Sequence, residues 1–240
     1  MGKYVNEQGV CVYSGFWWKL ALPEVVLPVH LAVSLGALAW AASRPSGWVA
    51  IVVSVPLGFF IWTLFEYAFH RWLLHHKRYP VLRKIFWNGL HREHHMYRQM
   101  LDPEHRTIHL AISLPIVLML VGVVGLATTS GWGLAILGGW LLSYCIYETS
   151  HWLYHICDPE KGLGKFLWIH GVGHAHTVHH FHHAGKNYGF ITVFWDRVFG
   201  TYLPIKQTRA TEGYGVREGH PAAANHDEKS RYMTERVISP

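Results

Sequence analysis

The chain has 240 residues, half of them hydrophobic and 15% aromatic, with a formal net charge of +6. Its uncharged runs are too long for a soluble core, which excludes an ordinary globular domain and points to a membrane protein of one domain. Three cysteines (Cys11, Cys145, Cys157) form neither a CxxC nor a paired framework, which excludes a disulfide scaffold and fits a reduced, cytoplasm-facing protein.

Residues 1 to about 23 are mixed in character. Phe16-Trp17-Trp18-Lys19 reads as an interfacial anchor ahead of a first span over about 25–43. Arg44-Pro45-Ser46-Gly47 is a tight turn, so a second span, about 47–66 and containing Pro56, returns antiparallel to the first. That helix is expected to continue past the bilayer edge through His76. The stretch from Arg71 to Arg106 is polar and basic. Two further spans follow at about 110–129 and 134–150, joined by Thr128-Thr129-Ser130-Gly131. The segment from Phe166 to Tyr202 is too polar to cross lipid, and 206–240 has the composition of a loose polar tail. The expected fold is an all-α membrane protein: four transmembrane helices in a domain of residues 1–205, with a helical cap over 70–109 and 151–202.

Four crossings put both termini on one face. Lys3, Lys19, eight Lys or Arg between Arg71 and Arg106, and ten from Lys161 onward share that face, against Arg44 alone in the opposite turns. The asymmetry places the termini and the cap in the cytoplasm. The basic face suits anionic headgroups or an acidic protein carrier, and no nucleic-acid partner is expected.

Twenty histidines are the outlying feature of the composition. Half of them fall into four groups on that same face: His70 and His75; His91, His94 and His95; His151 and His155; and His176, His179 and His180. A lone histidine is usually a satisfied polar side chain, and His30, His105, His109, His220 and His226 are read that way. Ten in spaced groups are read as metal ligands, because neutral imidazole binds Fe, Zn, Cu and Ni well. Ten imidazoles exceed what one ion takes, so two ions are expected. His151 and His155 are neighbours on a helix, as are the i, i+3 and i+4 members of the second and fourth groups. His70 and His75 are five apart and diverge by roughly 140° on an α-helix of ~3.6 residues per turn. Either they serve different ions or the helix ends between them. His170, His174, His182 and His183 stay unassigned, and HTVHHFHH also permits a register of His179, His182 and His183.

Glu66 and Glu148 precede His70 and His151 by four and three residues. A carboxylate at mid-bilayer costs on the order of 2.5–3.5 kcal/mol, and accepting the ring N–H of a ligand histidine would offset that. A snorkelling interfacial acid is the alternative. Soluble di-iron bundles use paired Glu-x-x-His motifs. Only Glu148-x-x-His151 fits here, so the ligands should be mostly histidine.

The order His70-x4-His75, His91-x2-His94-His95, His151-x3-His155, His176-x2-His179-His180 resembles the fatty acid hydroxylase/sterol desaturase superfamily. Asn187-Tyr188-Gly189-Phe190 and Trp195-Asp196-Arg197-Val198-Phe199-Gly200-Thr201 are similar to its C-terminal signature, whose distance from the last box favours the His176/His179/His180 register. The resemblance covers roughly residues 60–202. It implies a non-haem centre of two iron ions, with zinc as an alternative occupant after purification, that uses O2 to hydroxylate a C–H bond of a lipid. In the branch that looks nearest, the fatty acid 2-hydroxylases, the substrate is an acyl chain. Without a cytochrome b5-like domain in front, electrons are expected from a separate cytochrome b5- or ferredoxin-like donor. The Tyr-Pro usual after the second box is Met96-Tyr97-Arg98-Gln99 here, which leaves the substrate open. Asp196 is expected either to brace a ligand histidine or to cap the C-terminal segment. The competing readings are a sterol or carotenoid hydroxylase or desaturase on the same scaffold, and a transition-metal transporter or store. Transport would want ligands at mid-membrane, where His30 alone lies.

Overall fold

The structure is a computed structural model, and it describes residues 3–5, 11–13, 16–45, 47–76, 78–97, 108, 110–157, 162–169, 172–181 and 183–204. The tail expected at 206–240 lies outside the described residues, as do His105, His109, His170, His182, His220 and His226. Two three-residue strands, β1 (Lys3–Val5) and β2 (Cys11–Tyr13), pair with each other. Both are rich in the β-branched and aromatic residues that favour strands. All other regular structure among the described residues is helical. In order come α1 (Phe16–Lys19), α2 (Pro23–Ala42), α3 (Gly47–Ala68), a π-helical segment (Phe69–Leu74), α4 (Pro80–Leu82), a second π-helical segment (Arg83–His91), α5 (Arg92–Tyr97), α6 (Leu110–Ala127), α7 (Trp132–Ile156), α8 (Gly162–Ile169), α9 (Val172–Phe181) and α10 (Phe194–Val198).

The chain divides into two compact units. One comprises Tyr13–Glu66 and Glu104–Leu153 with the first two residues; the other comprises Lys3–Val12, Tyr67–Pro103 and Tyr154–Pro240. Among the described residues, three helices are long and apolar enough to cross a membrane: Pro23–Ala42, Gly47–Leu74 and Leu110–Ala127. At ~1.5 Å per residue, the 20 residues of α2 span about 30 Å, the thickness of a hydrocarbon core. Leu35, Val52, Phe60, Ile112, Met119 and Leu126 stand exposed on these helices. That is the arrangement expected when lipid is the solvent, and the protein is an integral membrane protein.

The first unit is held together by small residues that let helix backbones approach. Ala41, Ala50, Leu134 and Ala135 form a buried cluster against Trp40, Ile51, Val121 and Val124. On α7, Gly138 packs on Leu38 while its carbonyl accepts a 2.8 Å bond from Ser34 Oγ, and a Cβ on Gly139 would lie 2.7 Å from the Val55 backbone. Gly125 of α6 receives the Trp40 ring, and its carbonyl accepts from Arg44 Nη2 at 3.0 Å. On α3, a Cβ on Gly58 would overlap the Ile136 carbonyl and stand 2.7 Å from Trp140 N. Both opposing atoms are backbone, so no rotamer change relieves the clash. Gly58→Val is therefore expected to part α3 from α7 and destabilise the unit by at least the ~1–3 kcal/mol usual for overpacking. Gly122→Ala, with nothing within 4 Å of the added carbon, should be silent. Thermal unfolding of the two variants in detergent, against the parent protein, is the measurement.

Buried polar groups in this unit sit among aromatic rings. His30 donates from Nδ1 to the Val26 carbonyl one turn back (2.9 Å) and lies 5.1 Å from the Tyr144 ring, but its buried Nε2 has no hydrogen-bond partner among the described residues, so the satisfied polar side chain expected of it is satisfied at one nitrogen only. Trp62 meets Phe65, Trp140, Tyr144 and Tyr147 within 5.6 Å, and its indole N–H donates to Glu66 Oε2 at 2.9 Å.

Candidate metal centre

The second unit carries nine of the ten boxed histidines, all but His151, and a change in helical winding begins their assembly. Where α3 gives way to the π-helical turn Phe69–Leu74, the backbone N–H of His75 bonds the carbonyl of His70 at 3.1 Å, an i→i+5 closure. A residue five along then stacks over its partner instead of diverging as on an α-helix. The imidazoles meet with Nε2 atoms 3.2 Å apart. The divergence of about 140° expected for this pair on an α-helix does not occur, because the turn is not an α-turn. The second π-helical segment ends at His91 and delivers it to the same place.

Five Nε2 atoms converge there. His75, His91, His95 and His179 form a closed ring, with successive separations of 3.0 Å (His75–His91), 2.9 Å (His91–His95), 3.2 Å (His95–His179) and 3.0 Å (His179–His75). His70 stands over one edge, 3.0 Å from His91 and 3.2 Å from His75. Hydrogen bonds cannot account for the ring. His70 donates from Nδ1 to the Tyr188 carbonyl and His179 from Nδ1 to the Lys186 carbonyl, both at 2.7 Å. Their neutral rings therefore turn Nε2 lone pairs inward, the disposition of metal-ligating imidazole. Adjacent ligands at right angles on bonds of ~2.1 Å stand about 3.0 Å apart, whereas a tetrahedral set stands nearer 3.4 Å. The observed spacings are those of ligand atoms that could share one ion.

A second group forms from His94, His155, His176 and His180, whose ligand atoms lie within 4.8 Å of one another. His176 and His155 have Nε2 atoms 3.0 Å apart. His151 is buried one helical turn before His155 on α7. The boxes are thus shared between groups according to helical spacing. The i, i+4 pairs His91/His95 and His176/His180 each serve one group, while the intervening His94 and His179 serve the other. His76, His174 and His183 are described and belong to neither group. With His183 exposed, the register of His176, His179 and His180 is the one that builds both groups.

Burial favours the neutral, ligand form of these rings. It pushes His91, His95 and His180 well below the ordinary imidazole value, with neighbouring imidazoles adding to the shift, and pushes His179 down to about 4. Aromatic rings complete the walls. Tyr188 lies 5.4 Å from both His75 and His179, Trp87 is 5.3 Å from His75, and Phe190 stands between groups, 4.6 Å from His70 and 4.8 Å from His176. Composition and spacing alone gave no signal for Trp87 or Phe190 as site walls, since aromatic residues are frequent throughout this chain.

The carboxylates divide. Both ring nitrogens of His70 are engaged, Nδ1 by Tyr188 and Nε2 within its group. Glu66 therefore does not take the N–H of His70; it accepts the Trp62 indole instead. Glu148 is buried on α7, three residues before His151. Asp196, fully buried on α10, accepts the Tyr188 N–H at 2.8 Å, the Gly189 N–H at 2.9 Å and the Thr201 hydroxyl at 2.7 Å. Burial raises its carboxyl above the ordinary aspartate range, and these three bonds oppose the rise.

Apolar membrane helices combined with two clusters of imidazole nitrogens define a membrane protein of the histidine-box, metal-binding kind. Residues 55–201 match the fatty acid hydroxylase family. The chain is 33% identical over 199 residues to the dihydroceramide fatty acyl 2-hydroxylase FAH2 of Arabidopsis thaliana, covering 79% of this chain and 75% of that one. It is 30% identical over 166 residues to the fatty acid 2-hydroxylase of Homo sapiens, covering 65% of this chain and 41% of that longer protein. The solved structure of full-length scs7p, in which only the hydroxylase domain is visible, shares the fold with a TM-score of 0.61 at 24% identity, over 82% of this chain and 73% of that one. The chain belongs to the fatty acid hydroxylase family, and it is an oxidoreductase acting on lipid.

Proposed function

We propose that this protein is an O2-dependent di-iron hydroxylase that places a hydroxyl on carbon 2 of a lipid acyl chain. The observation that carries the reading is the pairing of two imidazole groups, each sized for one ion, in a chain whose relatives are named acyl 2-hydroxylases. His70, His75, His91, His95 and His179 would hold one ion; His94, His151, His155, His176 and His180 would hold the other. Iron bound there supplies the O2 chemistry that breaks an unactivated C–H bond, with electrons from an external donor of the cytochrome b5 or ferredoxin type. The chain's own part is to keep the rings neutral by burial, to fix their tautomers through backbone carbonyls, and to exclude water with Trp87, Tyr188 and Phe190. Glu148 is proposed to accept the outer ring N–H of His151.

We further propose that α7 is a fourth crossing. Its 25 residues reach about 37 Å, and its Trp, Tyr and Gly content serves close packing within the bundle rather than lipid contact. Four crossings, with the basic segments on one side, put both termini and the histidines in the cytoplasm. Residues 1–205 then form the catalytic domain and 206–240 a polar tail.

Expression in cells that lack 2-hydroxylated lipids tests the activity. New 2-hydroxyacyl species should form in air and not without O2, and His94→Ala should stop them while the protein still accumulates in the membrane. An unchanged lipid profile alongside altered cellular metal content would overturn the reading in favour of metal handling.

A further inference from the structure

The stretch from Lys186 to Leu203 folds back on itself, and its hydrogen bonds end on two imidazoles of a single group. Asn187 adopts a left-handed backbone (φ 55°). It is tied at three points: its N–H to the Thr201 carbonyl (3.0 Å), its side-chain Nδ2 to the Leu203 carbonyl (3.1 Å), and its Oδ1 from the Leu203 N–H (2.8 Å). Asp196 grips the next two peptides through the N–H groups of Tyr188 and Gly189. The approach is close: a Cβ on Gly189 would lie 3.0 Å from Asp196 Oδ2. The N–H groups of Thr201 and Tyr202 return to the Asp196 carbonyl at 2.7 and 3.0 Å. The far end is moored by a chain of side chains, in which Arg71 donates to the Tyr67 hydroxyl (2.8 Å) and that hydroxyl lies 2.9 Å from Thr201 Oγ1. Held in this way, the segment presents the Lys186 carbonyl to His179 Nδ1 and the Tyr188 carbonyl to His70 Nδ1. Both rings belong to the group of His70, His75, His91, His95 and His179.

A peptide plane is rigid, so the N–H that Asp196 holds fixes the direction of what lies on either side of it. An imidazole that donates through Nδ1 has its lone pair committed to Nε2, the atom that faces the ion. We infer that Asp196 is a positioning residue for this group alone: by clamping the Tyr188 and Gly189 peptides it aims the carbonyls that set the tautomer and angle of His70 and, with Asn187, of His179. The inference rests on the reading that each histidine group holds one ion. Asp196 touches neither ion nor substrate in this scheme and acts through the backbone. Replacing its carboxylate with a carboxamide sets an N–H₂ against the peptide N–H of either Tyr188 or Gly189 and leaves that donor unmatched, at almost unchanged volume.

The test is a cobalt(II) titration of the full-length, metal-free protein in detergent, read by the visible absorption of the bound ion. The parent protein should bind two equivalents; fewer than two would remove the two-ion reading itself, whatever Asp196 does. Asp196→Asn should keep one equivalent at parental affinity and weaken the other by about 10–100-fold, the usual cost of losing an outer partner of a ligand histidine. The absorption band it loses should be the one that survives in His155→Ala, and the double variant should bind neither ion tightly. Thr201→Val, which removes one of three donors to the carboxylate, should weaken the same equivalent by a smaller factor, and it carries the test if Asp196→Asn loses its helical circular dichroism. Two unchanged equivalents in folded Asp196→Asn overturn the inference. Equal weakening of both equivalents also overturns it, because the segment would then be holding the fold rather than one group.

Discussion

Replacing His75 by alanine is expected to abolish product formation and to cost the protein one of its two ions, while the same change at His76, the next residue, leaves both intact. Only the resemblance of His70-x4-His75 to a family motif separates these two adjacent histidines in the sequence; composition and helical spacing do not. In the structure, His75 Nε2 lies 3.2, 3.0 and 3.0 Å from the Nε2 atoms of His70, His179 and His91, so it occupies one corner of the ring and touches the capping ligand. Its removal breaks two sides of that ring. Turnover should fall by more than about a thousandfold, beyond the 10–100-fold typical of outer-partner losses. His76 points elsewhere: Nδ1 donates to the Trp72 carbonyl at 3.2 Å, Nε2 accepts from the Tyr79 N–H at 3.0 Å, and the ring stacks on Tyr79. Its loss should cost about 1 kcal/mol of local stability and change activity less than about twofold. Metal analysis of the purified variants, with product measured in the same preparations, gives the comparison. Equal damage from the two substitutions would mean that the π-helical turn does not sort them as described.

That pair shows how much of the molecule could be read from the residues. The apolar helices were legible because lipid requires uninterrupted hydrophobic runs: the expected spans at 25–43 and 110–129 lie within two residues of Pro23–Ala42 and Leu110–Ala127, and the one at 47–66, expected to run on as helix, corresponds to Gly47–Leu74. The gathering of the ten boxed histidines into groups that could hold a metal ion was legible too, since clustered imidazole has few other uses. Their division between two groups was not. It depends on a switch to i→i+5 winding that local propensity does not announce, and on His94 and His179 each leaving their box-mates for the other group. Glu66 shows the same limit of helical spacing. Helical spacing put it beside His70, but the His70 ring turns its Nδ1 to a carbonyl 118 residues away. The reach of Asp196 was equally invisible, because it works through peptide groups, which every sequence contains. Of the two alternatives raised for Asp196, its bonds from the Tyr188 and Gly189 N–H groups and the Thr201 hydroxyl show how it ties the C-terminal segment together.

Lowering the pH from 7 to 4 is expected to release the ions and then unfold the histidine-bearing unit. An imidazole in an unfolded chain takes up a proton near pH 6.5. In the folded protein burial holds His91, His95 and His180 well below that value and His179 at about 4. Above pH 6.5 neither state is protonated and the stabilisation is complete. Below it the unfolded chain gains protons that the folded one refuses, so stability declines with falling pH, and the share due to His179 is gone by about pH 4. For His179 alone that share is about 3 kcal/mol. Asp196 runs the other way, since burial raises its carboxyl, but it is one group against four. Without metal the decline should be broad, because each proton taken up by a crowded imidazole disfavours the next. With metal the ligands must stay neutral for the ion to stay, so release should be sharper, and its midpoint should move to lower pH as free metal is raised. Metal release to a coloured chelator and the Tm, each followed from pH 8 to 4, measure both effects. A Tm that rises on acidification, or release centred above pH 7, would contradict rings held neutral by burial, and with them the geometry on which both groups depend.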